Sequence, residues 1–402
     1  MNTKIRLTLM NFLQYAVWGA WLISLGAYLG NTLKFDGLQI GSFFATMGIA
    51  SLFMPAVMGI IADRWIPAQR LLGLCHLFAA GFITLAASRT DYNSLYTLVL
   101  LSVMFYMPTI ALSNSVAYNA LEKAGLDTVT HFPPIRVWGT VGFICAMWVV
   151  DLGKMGLSAT QLYFSATLGL ILGLYSFTLP NCPINRSGGG KSIVDLLGLR
   201  AFALFKQRKM AIFFIFSMLL GMSLQITNAF ADGYIKSFGD TGIHGAKYLG
   251  TFGVEHSTIL ISLSQISETL CILLIPFFLK RFGIKRVMLI AMFAWVLRFA
   301  LLGAGNPGPG VWMFILSMIV YGVAFDFFNI SGSLFVEKET SAAIRSSAQG
   351  VFMIMTNGLG ALIGSYLAGW VVNHYGWPLS WYLFAGFSLV VAIVFAVIFK
   401  YK

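Results

Sequence analysis

Apolar and polar segments alternate regularly along this chain. About 20 consecutive apolar residues are enough to cross the hydrocarbon core of a bilayer as a helix, and each apolar run has roughly that length. The runs lie at residues 7–30, 38–61, 71–88, 94–120, 134–153, 159–180, 210–236, 256–279, 287–304, 311–335, 346–371 and 379–399. The first run is longer than the core of a signal peptide, so we interpret it as an uncleaved span. The pattern therefore predicts an all-α membrane protein with twelve transmembrane helices.

The longest polar connection divides this pattern in the middle. Residues 181–209 separate the sixth run from the seventh and contain the glycine-rich sequence "NRSGGGKS". Glycine-rich and serine-rich segments behave as flexible linkers. We therefore predict two six-helix halves, 1–180 and 210–402, joined by a cytoplasmic linker.

Composition excludes a soluble protein. Of the 402 residues, 58% are hydrophobic and only 10% are charged, and the mean hydropathy is +0.82. Soluble domains carry about 25% charged residues. The four cysteines are scattered without the spacing of metal ligands, so we expect neither a metal site, nor a disulfide framework, nor a cofactor.

The positive charge is explained by topology. The chain carries a net charge of +12. Its Lys and Arg residues gather at the termini and in the connections on one side of the predicted membrane. The positive-inside rule then places both termini in the cytoplasm. We expect these charges to orient the protein and contact anionic lipid, and we expect no nucleic-acid partner.

Two stretches in equivalent positions of the halves resemble each other. "SVMFYMPTIALSNSVAYNALEK" begins at Ser102 and "SMIVYGVAFDFFNISGSLFVEK" begins at Ser317. At an offset of 215 residues, the identical pairs are Ser102/Ser317, Tyr106/Tyr321, Asn114/Asn329, Glu122/Glu337 and Lys123/Lys338. Internal repetition of this kind is typical of transporters that bind substrate between two repeats near the midplane.

Two short charged segments add to this interpretation. "GIIADRW", residues 59–65, resembles the G-x-x-x-D-R loop of the major facilitator superfamily, and "KRFGIKR", residues 280–286, resembles the basic part of the same motif. The alternative is a pair of solvated loops without a special role. The resemblance implies a major facilitator fold.

Ionisable side chains within the predicted spans are the first functional candidates. An Asp, Lys or Arg at the centre of a membrane helix costs about 2.5 to 3.5 kcal/mol on insertion scales. Four residues fall at such depth: Arg136, Glu268, Arg298 and Asp326. Arg298 is nearer the end of its span, and we expect it to form a structural salt bridge or to extend to the membrane surface.

Glu268 lies near the middle of the eighth span. Gln265 precedes it by three residues and Ser264 by four, so all three share one helix face. A carboxylate beside a carboxamide suits a ligand with several hydroxyl groups. The alternative is a structural acid paired with a neighbouring arginine.

Three further groups of residues are candidates for ligand contact. Arg136, Thr140 and Phe143 have the i, i+4, i+7 spacing of one helix face. Tyr321 and Phe325 form an i, i+4 aromatic pair on the tenth span, next to the face that carries Asp326 and Asn329. Gln225 and Asn228 lie one turn apart in the seventh span.

Each of these groups also has a structural explanation. Arg136 follows Pro133 and Pro134 closely, so its side chain can extend to the cytoplasmic surface. The two aromatic rings can be ordinary packing, and carboxamides commonly join helices within membranes. The five histidines lie near the ends of spans or in loops, and we assign them no role.

Long segments resemble one transporter family. "DTVTHFPPIRVWGTVGF", "FALFKQRKMAIFFIFSMLLGMSLQITNAF", "SQISETLCILLIPFFLKRFGIK" and "SMIVYGVAFDFFNISGSLFVEKE" closely resemble the bacterial nucleoside:proton symporters, the NupG-type permeases of the major facilitator superfamily. The resemblance implies uptake of nucleosides such as uridine and adenosine together with protons, by a monomer in the bacterial inner membrane. It also implies a substrate pocket at Arg136, Thr140, Phe143, Gln225, Asn228, Gln265, Glu268, Tyr321 and Phe325.

Two acids are candidates for the residue that carries the coupled proton. Asp326 or Glu268 carries the coupled proton on this interpretation.

Other functions are alternatives to nucleoside symport. A symporter for another hydroxylated solute, such as a sugar, is the nearest alternative, and a non-transporting membrane sensor of nucleosides is a weaker one. An intramembrane enzyme is disfavoured because the chain contains neither an HExxH nor a GxSxG motif.

Overall fold

Long apolar helices account for nearly all of the regular structure. The computed structural model describes residues 2–184, 199–341 and 344–400, and within these ranges it contains helices and no strand. The helices of the amino-terminal part are α1 (Thr3–Gly19), α2 (Leu25–Ala27), a π-helix (Tyr28–Thr32), α3 (Gly37–Arg64), α4 (Ala68–Ala87), α5 (Tyr92–Lys123), α6 (Thr128–Leu152) and α7 (Thr160–Ser176). Residues 185–198 of the predicted linker lie outside the described ranges.

The carboxy-terminal part begins with a short 3₁₀-helix, Leu199–Lys206. The helices that follow are α8 (Arg208–Ser237), α9 (Thr241–His244), α10 (Phe252–Glu255), α11 (Ser257–Ala304), α12 (Val311–Glu339), α13 (Arg345–Met353), a π-helix (Ile354–Gly360), α14 (Ala361–Tyr375) and α15 (Leu379–Ile398).

The twelve predicted spans each contain helix. Within the described part of the chain, nine helices are long and apolar enough to cross a membrane. They cover ten of the spans, because α11 contains both 256–279 and 287–304. The spans at 7–30 and 159–180 correspond to α1 and α7, each of 17 residues. The fold is therefore an all-α membrane fold, consistent with the predicted number of crossings.

The eighth and ninth spans are divided by a glycine. Gly283 has φ 76° and ψ 167° inside the 48 residues of α11. A positive φ of this kind is readily adopted by glycine and rarely by other residues. The break falls inside the predicted loop "KRFGIKR", so the chain changes direction at the position where hydropathy predicted a connection.

The first and eleventh spans are less regular than predicted. α1 ends at Gly19, and residues 20–24 separate it from the short α2. The eleventh span contains a π-helix between α13 and α14. Single-turn π segments inside α-helices are rare and occur frequently at functional sites.

The described residues form two compact units. One contains residues 2–28 and 49–184, and the other contains residues 29–48, 199–341 and 344–400. The amino-terminal part of α3 thus groups with the second unit. The predicted division into halves 1–180 and 210–402 stays a prediction.

Close contact between helix backbones is a feature of both units. In lipid, apolar side chains gain no hydrophobic free energy by leaving the bilayer, so helix association depends on packing and polar contacts, often at small residues. A Cβ at Gly41 of α3 would lie 2.2 Å from the carbonyl oxygen of Ser365 on α14. Large apolar side chains remain exposed on α11, with Leu273 at 74% and Phe277 at 60%. Such surface is suited to lipid.

Candidate functional site

An acid and a carboxamide lie beside an aromatic pair in the second unit. Gln265 and Glu268 share one face of α11, and both side chains are half-buried. The side chain of Tyr321, from α12, interacts with Gln265 through a hydrogen bond and with Glu268 electrostatically. Hydrogen-bonding groups and an aromatic ring therefore meet between two helices, as a polar ligand with a planar ring requires.

The aromatic pair on α12 is stacked. The ring centroids of Tyr321 and Phe325 are 5.6 Å apart, and the rings are within 5° of parallel. Trp295 of α11 meets the edge of Tyr321 at 6.0 Å and 90°. Tyr321 is buried, whereas Phe325 is half-buried. Aromatic rings prefer such offset-stacked and edge contacts, and part of Phe325 stays accessible.

Asp326 is the more deeply buried of the two acids. Only 4% of its surface is exposed, and its Oδ2 atom has no hydrogen-bond partner among the described protein atoms. It interacts electrostatically with Glu268. Burial in an apolar environment penalises the charged form of a carboxyl group. A buried acid next to a second acid is therefore suited to take up and release a proton.

The carboxamides of α8 belong to the same unit. Gln225 is buried, and its Oε1 atom has no hydrogen-bond partner among the described protein atoms, whereas Asn228 is half-buried one turn later. The alternative explanation of these residues as helix–helix contacts is therefore not visible at Gln225 Oε1. One turn before Gln225, Gly221 brings α8 against the π-helix at Thr356.

Arg136 in the first unit is held by an aromatic ring that the sequence did not indicate. Its guanidinium carbon lies 3.9 Å from the ring centroid of Tyr15 on α1. Along α6, Thr140 is half-buried and Phe143 is buried. Phe143 meets Trp18 of α1 edge to face at 6.3 Å and 89°. The predicted face of α6 is therefore packed against α1.

A buried polar network lies next to this face, and sequence reasoning missed it. Gln14 Nε2 donates to Thr109 Oγ1 at 2.7 Å, and Gln14 Oε1 is 2.8 Å from Nε2 of His76. The hydroxyl of Tyr106 donates to the backbone carbonyl of Gln14 at 2.7 Å. His76 is fully buried, although its position near the start of a span gave no reason to select it. The partners come from three helices, so no local pattern could have found them.

The repeated stretches of α5 and α12 make equivalent contacts in their own units. The hydroxyl of Ser102 donates to the carbonyl of Ala79 at 2.9 Å, and the hydroxyl of Ser317 donates to the carbonyl of Arg298 at 3.0 Å. Four residues after each serine, a tyrosine meets a ring edge to face. Those pairs are Tyr106 with His76 at 5.9 Å and Tyr321 with Trp295 at 6.0 Å. The internal repeat is therefore structural as well as sequential.

The expectation for Arg298 is wrong. The side chain is only 2% exposed, so it does not extend to the membrane surface. Among the described residues it has no ion-pair partner within 4 Å. Its Nη1 donates to the carbonyl of Ser317 at 2.7 Å, and its guanidinium carbon lies 4.7 Å from the ring centroid of Tyr321. The hydrophobic pattern predicts where the membrane-spanning helix lies and how deep Arg298 is within it. It does not show which face of the helix packs against the neighbouring helices.

Comparison with known proteins identifies the family. The family model described as nucleoside H+ symporter matches residues 1–402. The chain belongs to this nucleoside H+ symporter family.

Individual relatives are similar to this chain along its whole length. The nucleoside permease NupG of Escherichia coli (strain K12) is 51% identical over 409 residues, covering 100% of this chain and 97% of that protein. The xanthosine permease of the same strain is 50% identical with the same coverage. The crystal structure of nucleoside transporter NupG superposes with a TM-score of 0.93 at 51% identity, covering 100% of both chains.

These similarities confirm the predicted class. This symporter is a multi-pass membrane protein with the major facilitator fold, and it is a transporter, not an enzyme. It carries out proton-coupled nucleoside uptake.

Proposed function

We propose that the surface formed by α11 and α12 binds the nucleoside and carries the coupled proton. The observation that carries this proposal is the cluster of Gln265, Glu268, Tyr321 and Asp326, which combines acids, a carboxamide and an aromatic ring where α11 meets α12. Uridine, adenosine and similar nucleosides are the proposed substrates. Their bases are flat and their riboses carry hydroxyl groups, so both chemical features find partners in the cluster.

The base and the ribose are assigned to different side chains. The base stacks on the Tyr321 and Phe325 pair, of which Phe325 is only half-buried. Gln225 and Asn228 read polar atoms of the base, because a carboxamide both donates and accepts hydrogen bonds. Gln265 and Glu268 bond ribose hydroxyls.

The face of α6 in the first unit carries further groups that suit a nucleoside. Arg136 donates hydrogen bonds from its guanidinium, Thr140 offers a hydroxyl, and Phe143 offers an apolar wall. The stacking of Arg136 on Tyr15 supports this role, since it holds the guanidinium in one orientation before substrate arrives. Preorganisation of this kind reduces the entropy lost on binding.

The proton is proposed to reside on the pair formed by Asp326 and Glu268. The deeper burial of Asp326 favours it as the site of the proton, and Glu268 as the acid that also contacts substrate. Transport then follows alternating access between the proposed halves, 1–180 and 210–402. We further propose that the protein works as a monomer in the bacterial inner membrane, with both termini in the cytoplasm.

Uptake and counterflow in proteoliposomes separate these roles. Labelled uridine is supplied to Glu268→Gln and Asp326→Asn, first with an imposed pH gradient and then in nucleoside counterflow without one. A residue that only carries the proton loses gradient-driven accumulation when neutralised and retains counterflow. Glu255→Gln is the matched control, since Glu255 is an exposed acid of the same unit. If both variants accumulate uridine like the wild type, the assignment of the proton is wrong.

Substrate class is tested in the same vesicles. Unlabelled adenosine and other nucleosides compete with labelled uridine on this proposal, and a sugar in equal excess does not. Competition by the sugar alone would overturn the assignment of the pocket to nucleosides.

A further inference from the structure

The hydrogen bonds around Gln14 determine which nitrogen of His76 carries the proton. The hydroxyl of Thr109 donates to the carbonyl of Tyr106 at 2.5 Å, so its oxygen accepts from Nε2 of Gln14 at 2.7 Å. This contact orients the carboxamide, and the Oε1 atom of Gln14 lies 2.8 Å from Nε2 of His76. A carboxamide oxygen can only accept, so Nε2 of His76 donates and carries the proton.

The other ring nitrogen of His76 is an acceptor without a partner. The side chain is fully buried, and Nδ1 has no hydrogen-bond partner among the described protein atoms. The described residues that line the adjoining cavity include no acid, and an unbalanced charge is unfavourable in an apolar interior, so the ring is neutral. In a neutral ring with its proton on Nε2, Nδ1 holds only a lone pair. Buried acceptors are nearly always paired, so this nitrogen requires a donor.

A small cavity in the first unit adjoins His76. It lies among α1, α4, α5 and α7, and about 10 Å³ of it is open to the centre of a water-sized sphere. That is close to the smallest space that holds one water molecule. Most of the wall is apolar, and the lining side chains with polar atoms are Trp21, His76, Ser102, Tyr106 and Ser165.

Two serines of this wall can accept hydrogen bonds. The hydroxyl of Ser102 donates to the carbonyl of Ala79 at 2.9 Å, and the hydroxyl of Ser165 donates to the carbonyl of Val17 at 2.8 Å. Each hydroxyl has thereby used its only hydrogen, while its oxygen keeps lone pairs. Together with Nδ1 of His76, the wall offers three acceptors, so an occupant must be small and must donate hydrogen bonds.

The internal repeat explains why this space exists. The carbonyls that accept from the two equivalent serines of α5 and α12 belong to Ala79 and Arg298. Three residues before each of them is the ring that meets a tyrosine edge to face, His76 in the first unit and Trp295 in the second. At both positions the first unit carries the smaller side chain, and both of these smaller residues line the cavity. The exchange accounts for the room in the first unit.

We propose that this cavity binds one water molecule, which donates one hydrogen bond to Nδ1 of His76 and the other to Oγ of Ser102 or Ser165. A water molecule is neutral, fits the space and has two hydrogens to donate. Buried waters are held in this way by otherwise unpaired polar groups, whereas cavities of purely apolar lining stay dry.

The bound water completes a network that joins α4 to α1 and α5. His76 of α4 reaches Gln14 of α1 through Nε2 and the water through Nδ1. None of the residues that line the cavity belongs to the proposed nucleoside pocket, so this site does not depend on the proposed function.

Solid-state NMR of the protein in proteoliposomes, with ¹⁵N-labelled histidine, tests the site. The chain has five histidines, and the variant His131→Gln/His244→Gln/His256→Gln/His374→Gln leaves only the signals of His76. If that variant does not fold, His76→Gln in the otherwise natural chain identifies the same signals by their loss. We expect a neutral ring with its proton on Nε2, and transfer of magnetisation from water protons to Nδ1 at short transfer times.

A variant that fills the cavity provides the comparison. Ala79→Val adds two methyl groups to the wall, and we expect it to abolish the transfer to Nδ1 and to move the Nδ1 signal to higher frequency, as for a nitrogen without a hydrogen bond. Gly81→Ala is the matched control on α4, because a Cβ there has no atom within 4 Å, and it should keep the wild-type spectrum. If Ala79→Val does not fold, Ser165→Val fills the cavity from α7.

The spectra decide between a water site and its alternatives. A proton on Nδ1 would overturn the proposal, since that nitrogen would then not be an acceptor. Absence of transfer from water to Nδ1 in the natural chain would show a dry cavity and would also overturn it. Transfer that persists unchanged in the cavity-filling variant would place the water elsewhere and contradict the assigned site.

Discussion

The guanidinium of Arg136 stacks on the ring of Tyr15, with 3.9 Å between the guanidinium carbon and the ring centroid. The two residues belong to α6 and α1, and more than 100 residues of sequence separate them. A cation over an aromatic face is stabilised by the ring quadrupole. Arg136 is a proposed ligand of the nucleoside. The orientation of its guanidinium depends on Tyr15, a residue that is not itself in the proposed pocket.

Replacement of Tyr15 should weaken substrate binding. We expect Tyr15→Leu to raise the KM of uridine uptake by about two- to tenfold, the equivalent of about 0.5 to 1.5 kcal/mol for a partly buried cation–π contact. Tyr15→Phe retains the ring and should stay close to wild type. Tyr163→Leu, an exposed tyrosine of the same unit, is the control. Equal effects of Tyr15→Leu and Tyr163→Leu would contradict the positioning of Arg136.

The carboxamides of α8 should contribute to affinity without contributing much to stability. Gln225 Oε1 has no partner among the described protein atoms, so Gln225→Ala removes a group that the fold does not use. We expect Gln225→Ala and Asn228→Ala each to weaken uridine binding by about tenfold, as for the loss of one or two buried hydrogen bonds. Isothermal titration of purified protein measures this.

Thr227→Ala is the matched control for that experiment. Its hydroxyl donates to the carbonyl of Leu224 in the same helix at 3.0 Å, so its loss should leave affinity unchanged. Unchanged affinity in both carboxamide variants would remove Gln225 and Asn228 from the pocket.

The buried ion pair of the second unit should be important for stability. Asp232 is 1% exposed and accepts hydrogen bonds from Lys236 at 2.7 Å, Ser257 at 2.6 Å and Thr258 at 3.1 Å. Removal of one partner from a buried pair leaves the other charge uncompensated, at a cost of about 3 kcal/mol. We therefore expect Asp232→Asn to lower the melting temperature of the purified protein by several degrees.

The double variant Asp232→Asn/Lys236→Met separates charge from packing. It removes both charges and should recover part of the lost stability, whereas Glu255→Gln at an exposed acid should change nothing. A melting temperature that stays at the wild-type value in Asp232→Asn would show that the pair is not required.

The crossing of α3 and α14 should not tolerate a side chain at Gly41. A Cβ there would lie 2.2 Å from the carbonyl oxygen of Ser365, which is backbone and cannot rotate away. Overpacking of this kind costs about 1 to 3 kcal/mol. We expect Gly41→Ala to reduce the thermal stability measured by size-exclusion chromatography after heating. Gly81→Ala, whose Cβ would have no atom within 4 Å, should behave like wild type.

The predicted spans agree with the helices because hydropathy is a local property. A run of 20 apolar residues determines that a segment lies in lipid, and lipid in turn requires its backbone hydrogen bonds to be formed within the helix. Irregularities inside spans were not predicted. The break after Gly19 and the π-helix at Ile354–Gly360 depend on neighbouring helices, which the local sequence does not specify.

The candidate site was predictable only along single helices. The spacing of Gln265 and Glu268, or of Tyr321 and Phe325, follows from 3.6 residues per turn, and the structure keeps each pair together. Contacts between helices were missed. Tyr15 under Arg136, His76 beside Gln14, and the inward position of Arg298 join residues that are distant in sequence.

The sequence by itself determined that this protein lies in a lipid bilayer, where its helices run, and which types of polar side chain lie within the spans. These properties follow from composition and from hydropathy over segments of about 20 residues. Only the tertiary structure decided that Arg298 faces Tyr321 and not the membrane surface. The sequence does not show the position of Arg298 because the membrane helices carry apolar residues on every side. Hydropathy hardly distinguishes the faces of such a helix, so the contacts of neighbouring backbones and side chains decide which face turns inward.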